Sequence, residues 1–134
     1  MIDYPYNMEP MTQYQMVRDW LQAFGKPLDQ PFANKQLDLI INCIGEEYSE
    51  VFAEVAMDAE DVDPEKLTKE LCDLLWVTYQ AAAFFGLPIE QAFKRVYDSN
   101  MSKLGSDGKP VLREDGKILK GPNYKPAELG DLFE

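Results

Sequence analysis

The sequence predicts an all-α protein: a four-helix bundle followed by a small C-terminal β-hairpin and an extended tail. Three observations carry this expectation. Four stretches repeat apolar residues at helical spacing. Glycine and proline fall between those stretches, at Gly25, Pro27, Pro31, Gly86 and Pro88. After Gly105 the helical periodicity stops, and glycine and proline become frequent.

The first helix is expected from about Pro10 to Phe24, with Tyr14, Val17, Leu21 and Phe24 as its apolar stripe and Gly25 as its stop. The second runs from about Asn34 to Met57, where Leu37, Ile40, Ile41, Ile44, Tyr48, Val51 and Val55 recur. An acidic linker follows, and Asp63-Pro64 reads as an N-cap with proline at the first helical position. The third helix continues to about Phe85 through Leu67, Leu71, Leu74, Leu75 and Ala82. Pro88 starts the fourth, which carries Ile89, Phe93, Val96, Tyr97 and Leu104. Val111–Arg113 and Lys117–Leu119 flank Glu114-Asp115-Gly116, whose Asp-Gly step favours a tight hairpin turn.

A chain of 134 residues suits a single domain: a helical core over about 10–104, with hairpin and tail over 105–134. No apolar run approaches the roughly 18 residues that would span a bilayer. The N-terminal segment does not read as a signal peptide, so a cytoplasmic location is expected, with Cys43 and Cys72 as reduced thiols. The net charge of −11 argues against a nucleic-acid clamp. It leaves room for a small phosphorylated ligand, because divalent cations reverse the local sign. Histidine is absent, which removes His-based acid–base chemistry and ordinary zinc catalysis. The long, strongly apolar helices suggest burial between subunits.

Two acidic pairs stand out. Glu47 with Glu50, and Glu70 with Asp73, are each three residues apart, and such residues are neighbours on a helix face. Like charges that close repel, so folding does not ask for them. With Ile44 at the centre of the apolar stripe, Glu47 falls about 60° and Glu50 about 120° to one side, at about 100° per residue. Glu54 lies between them, and Glu46 falls about 160° away, outside the group. Centred on Leu71, Glu70 lies at about 100° and Asp73 at about 160°. Packed antiparallel, the two helices bring four carboxylates to one seam, a hole suited to a hard cation such as Mg²⁺. The alternative from geometry alone is a solvated acidic surface.

On the fourth helix Asn100 falls in line with Phe93, Val96 and Leu104, with Lys103 beside it. The two suit phosphate oxygens or a base edge, unless the helix end is simply exposed there. Trp20, Phe24 and Tyr48 are candidate walls of a nucleobase pocket, or plain core residues.

Glu46-Glu47-x-x-Glu50, then Glu70-x-x-Asp73 after the 19 residues from 51 to 69, resembles the signature of the all-α nucleoside triphosphate pyrophosphohydrolases. That group includes MazG-like proteins, dimeric dUTPases, dCTP pyrophosphatases and phosphoribosyl-ATP pyrophosphohydrolase. The resemblance covers roughly residues 37–103. Asn100-x-x-Lys103 and the stretch through Asp107-Gly108-Lys109 and Arg113-Glu114-Asp115-Gly116-Lys117 to Gly121-Pro122-Asn123-Tyr124 are similar to small single-domain MazG-like proteins of phages and bacteria.

The resemblance implies Mg²⁺ ligands at Glu47, Glu50, Glu70 and Asp73, with Mn²⁺ as a substitute, and Glu46 in support. It implies cleavage of a nucleoside triphosphate between the α and β phosphates, giving monophosphate and pyrophosphate. Glu50 and Glu47 then serve the attacking water, Lys103 the phosphates, and Asn100 and Trp20 the nucleotide. Family sites lie between subunits, which implies a homodimer or a dimer of dimers. Two other readings are a non-enzymatic acidic dimerisation module and a phosphoribosyl-ATP pyrophosphohydrolase.

Overall fold

A computed structural model describes residues 10–134. It contains four α-helices and a small two-stranded antiparallel sheet, the all-α class with a C-terminal hairpin. The chain forms two compact units, which divide between Leu87 and Pro88. No helix among the described residues is long and apolar enough to cross a membrane.

In the first unit, α1 spans Gln13–Ala23, α2 Asn34–Val55 and α3 Pro64–Phe84. Helix α1 begins three residues later than the expected start near Pro10. Thr12 caps it: the Thr12 hydroxyl accepts from the Gln15 amide at 3.2 Å, and the Gln15 side chain accepts from the Thr12 amide at 2.8 Å. This reciprocal box fixes the start at Gln13. Helix α3 begins as its sequence dictates. Asp63 accepts from the amides of Glu65 at 2.9 Å and Lys66 at 3.3 Å, and Pro64 occupies the first position.

Helix α3 packs against both α1 and α2. The core against α1 is small: Val17, Leu21 and Ala83 are buried, with Tyr14, Leu28, Trp76 and Tyr79 around them. The segment between α1 and α2 is strapped onto the end of α3. Its Asp29 and Gln30 amides donate to the carbonyls of Ala83 and Phe84. Arg18 grips Asp29 through two bonds, at 2.9 and 2.8 Å, and this holds the Asp29 carboxyl below the ordinary carboxylate range. Gly86, at φ 63°, is required here, because a Cβ on it would lie 2.9 Å from the Asp29 carboxylate.

In the second unit, α4 spans Ile89–Met101, and the strands are β1, Val111–Leu112, and β2, Ile118–Leu119. Helix α4 stops before Leu104, so Lys103 and Leu104 lie in the turn that follows it. Val111 pairs with Leu119 and Leu112 with Ile118, around a turn that places Gly116 at φ 87°. The tail is not wholly extended. It docks on α4, where Arg95 bonds the Glu128 carbonyl and pairs with Asp131, and it closes in a 3₁₀ turn at Gly130–Phe133. Both unit cores leave large apolar side chains exposed.

Replacing Leu21 with Ala is expected to destabilise the fold by about 2–5 kcal/mol. Asp63→Ala is expected to cost about 1 kcal/mol through the lost cap. Urea denaturation measures both. A Leu21→Ala loss within about 0.5 kcal/mol, the range of ordinary surface changes, contradicts this assignment of the core.

Candidate metal centre

Helices α2 and α3 run antiparallel, and their acidic pairs meet. One carboxylate oxygen from each of Glu47, Glu50, Glu70 and Asp73 lies within 4.8 Å of the others. Glu47, Glu70 and Asp73 are half-buried and Glu50 is exposed. Glu46 is exposed and outside the group, as its angle on α2 requires. A second acidic group, Asp58, Glu60 and Asp61, is exposed throughout.

The angle expected for Asp73 does not hold. Leu71, the assumed centre of the inward face of α3, is 45% exposed, while Asp73 turns into the cluster. Helix α3 is apolar on more than one side, and Leu71 and Leu75 are left 45% and 50% exposed. The inward face follows Glu70, Asp73 and Val77 instead.

The electrostatics are those of a crowded anion site. The Glu50 carboxylate beside Glu70 holds the Glu70 carboxyl above the ordinary glutamate range, and partial burial adds to the effect. Buried oxygens of Glu47 and Glu70 have no hydrogen-bond partner among the described residues. The Glu54 carboxylate, one turn beyond Glu50, has another such oxygen outside the group of four. One cation already leans on the site: Lys69 pairs with Asp73 at 2.5 Å and approaches Glu70 at 4.0 Å. Its i,i+4 spacing to Asp73 is a signal the sequence carries.

Orphaned carboxylate oxygens are costly when no donor or ion meets them. An all-carboxylate donor set with no sulfur or imidazole fits a hard cation such as Mg²⁺ or Mn²⁺. The residues present therefore suit a divalent metal.

Trp20 is on α1 in the same unit. It meets Trp76 edge-on at 5.5 Å and Phe24 at 5.1 Å, and lines a cavity on the α2–α3 groove. Phe24 and Tyr48 do not line that cavity; they are 66% and 59% exposed. Asn100 and Lys103 belong to the second unit. Asn100 is exposed in the last turn of α4, and Lys103 follows it, half-buried, without an ion-pair partner among the described residues. The turn that carries Lys103 is fixed by the tail. The Gly121 amide donates to the Lys103 carbonyl at 2.9 Å, and a Cβ on Gly121 would lie 2.6 Å from that oxygen. The two cations within α4 are engaged, Lys94 with Asp98 and Arg95 with Asp131.

No curated protein sequence matches this chain. The sequence profile of phosphoribosyl-ATP pyrophosphohydrolase matches residues 20–100, more than half of the chain. The matched stretch contains all four clustered carboxylates, Trp20 and Asn100, and ends before Lys103. Pyrophosphohydrolase activity on phosphoric anhydrides is what this match supports. The chain belongs to the phosphoribosyl-ATP pyrophosphohydrolase family, a branch of the all-α pyrophosphohydrolase superfamily that also holds the MazG-like proteins.

Proposed function

We propose that the protein is a Mg²⁺-dependent nucleoside triphosphate pyrophosphohydrolase. It cleaves ribo- or deoxynucleoside triphosphates between the α and β phosphates and clears surplus or non-standard nucleotides from the pool. The observation that carries this reading is the convergence of Glu47, Glu50, Glu70 and Asp73 within 4.8 Å in a chain of this family.

In this proposal Glu47, Glu70 and Asp73 hold the cation, and Glu50 shares in holding it. When bound, the metal neutralises phosphate charge and lowers the pKa of an attacking water. Glu50 is the most exposed of the four, so it is the one placed to orient that water and take its proton, with Glu47 in support. Water adds at phosphorus, the bond to the bridging α–β oxygen breaks, and the products are a nucleoside monophosphate and pyrophosphate. Such a scheme needs no histidine, in keeping with a chain that has none. Lys103, which has no ion-pair partner among the described residues, takes negative charge on the phosphates, and Asn100 fixes the nucleotide. Both roles rest on residue type and on resemblance to the family.

A homodimer, or a dimer of dimers, belongs to the same proposal. Ile41, Tyr48, Phe52 and Val55 recur along α2 and are 66%, 59%, 57% and 51% exposed. A single chain leaves that stripe in water, and a second copy would bury it. Light scattering on the purified protein is expected to give a mass of two or four chains; a monomer at micromolar concentration contradicts this part.

A second reading takes phosphoribosyl-ATP as the substrate, and the family match over residues 20–100 favours it. Both readings break an α–β anhydride, so one assay separates them. The protein is incubated with Mg²⁺ and a panel of ribo- and deoxynucleoside triphosphates plus phosphoribosyl-ATP, and the released phosphates are identified. Pyrophosphate from the triphosphates is expected. Turnover of phosphoribosyl-ATP alone selects the second reading. No turnover, or orthophosphate alone, removes both and leaves a non-enzymatic helical module.

Glu50→Gln and Asp73→Asn are each expected to lower turnover by about 100-fold or more, the upper end of what even outer partners of a metal site cost. Circular dichroism should show helicity unchanged. Saturating Mg²⁺ should raise the melting midpoint of the wild type by about 5 °C or more, because a ligand that binds only the folded state stabilises it. The same shift should vanish in Asp73→Asn. Full activity in both variants, or equal shifts in wild type and variant, contradicts the assigned ligands.

A further inference from the structure

The C-terminal tail is fastened to the stretch that carries Asn100 and Lys103. The Gly121 amide donates to the Lys103 carbonyl at 2.9 Å. The Lys125 amide donates to the Ser102 hydroxyl at 2.9 Å, and the Ser99 hydroxyl donates to the Lys125 carbonyl at 2.7 Å. The Ser102 hydroxyl passes its own proton back to the Ser99 carbonyl at 2.6 Å. Residues 121–125 thus hold the end of α4 and the turn after it by backbone contacts and two serines.

Gly121 shows how close the fit is. Its φ lies outside the left-handed region, so backbone conformation does not ask for glycine there. Contact does. A Cβ at 121 would stand 2.5 Å from the Leu104 carbonyl oxygen and 2.6 Å from that of Lys103. Ordinary contact needs about 3.5 Å, so the turn would have to move by about 1 Å, and backbone cannot swing aside as a side chain can. The start of the hairpin is tight too: the Gly105 amide donates to the Lys109 carbonyl at 2.7 Å, and a Cβ on Gly105 would lie 3.0 Å from the Asp107 carboxylate.

Lys103 sits between these fastenings. Its amide donates to the Asn100 carbonyl at 3.2 Å, and its carbonyl accepts from Gly121. Its backbone is therefore held on both sides, while its ammonium has no ion-pair partner among the described residues. The end of a helix ordinarily frays. A lysine rooted in a frayed turn must be ordered when its ligand arrives, and that ordering weakens binding. A root already fixed by the tail avoids the loss.

We propose that the tail is a positioning element for Lys103, and that Gly121, backed by Ser99 and Ser102, sets the place from which the Lys103 ammonium meets phosphate. The proposal rests on the pyrophosphohydrolase reading for its substrate class and on Lys103 as the phosphate cation. It gives a role to residues that lie beyond the family-matched stretch 20–100.

Inorganic tripolyphosphate carries the phosphates without a nucleoside. It is titrated with Mg²⁺ into the full chain by calorimetry. Lys103→Met is expected to weaken its binding. Gly121→Ala should weaken it by about 10-fold or more, because a displacement of about 1 Å costs up to about 100-fold. The decisive readout is the double variant. In the Lys103→Met background, Gly121→Ala should change affinity by less than about twofold, since both act through one ammonium. Ser99→Ala combined with Ser102→Ala removes the side-chain bonds to Lys125 without adding bulk, and it supplies the same cycle should Gly121→Ala fail to fold.

Wild-type affinity in Gly121→Ala or in Lys103→Met overturns the proposal, and so does a wild type that binds no tripolyphosphate. A Gly121→Ala loss repeated in full without the Lys103 ammonium marks general damage and overturns it too. The hydrolase reading fails separately. Coupled loss of tripolyphosphate binding, with no triphosphate turned over, sinks hydrolysis and supports the positioning role. Turnover that Gly121→Ala and Lys103→Met both leave intact overturns the positioning role alone.

Discussion

Four ionisable side chains on two neighbouring helices are held so close that they cannot all carry charge comfortably in the absence of a counter-ion. Glu47 and Glu50 on α2 face Glu70 and Asp73 on α3, and each offers an oxygen within 4.8 Å of the rest. Nothing in helix formation rewards this: like charges one turn apart destabilise a helix, and crowding raises the proton affinity of Glu70. Lys69 offsets part of the repulsion from the rim. Buried oxygens on Glu47 and Glu70 remain without a donor among the described residues. Structures keep such a cluster where something else profits from it, and a divalent cation with oxygen preference is the chemistry that matches.

The rest of the first unit serves to hold those two helices in register. Helix α3 is anchored at both ends, by the Asp63 cap at its start and by the Arg18–Asp29 strap over its finish. Helix α1 closes one side through Val17 and Leu21 against Ala83. A small residue at position 83 allows that close approach. The antiparallel pairing of α2 and α3 then sets the acidic cluster and a cavity along one groove.

Much of this is legible in the residues. The Asp63-Pro64 start, the glycine stops at Gly25 and Gly86, the Asp-Gly hairpin turn and the exclusion of Glu46 from the cluster all follow from local chemistry. The four cluster members are legible too, because their spacing conflicts with what an ordinary helix surface prefers. Less is legible where a helix is apolar on several sides. On α3 the eye settles on Leu71, yet the inward face is the one with Asp73, a choice made by tertiary packing and not by periodicity. The Thr12–Gln15 box is written in the sequence and moves the start of α1 from Pro10 to Gln13.

Calorimetric titration of Mg²⁺, and of Mn²⁺ in parallel, into the metal-free protein tests the central claim most directly, because it needs no substrate. Convergent carboxylates predict saturable binding at millimolar concentration or below, lost when Glu70→Gln and Asp73→Asn are combined. An isotherm with no saturable heat, or one identical in wild type and double variant, contradicts the account.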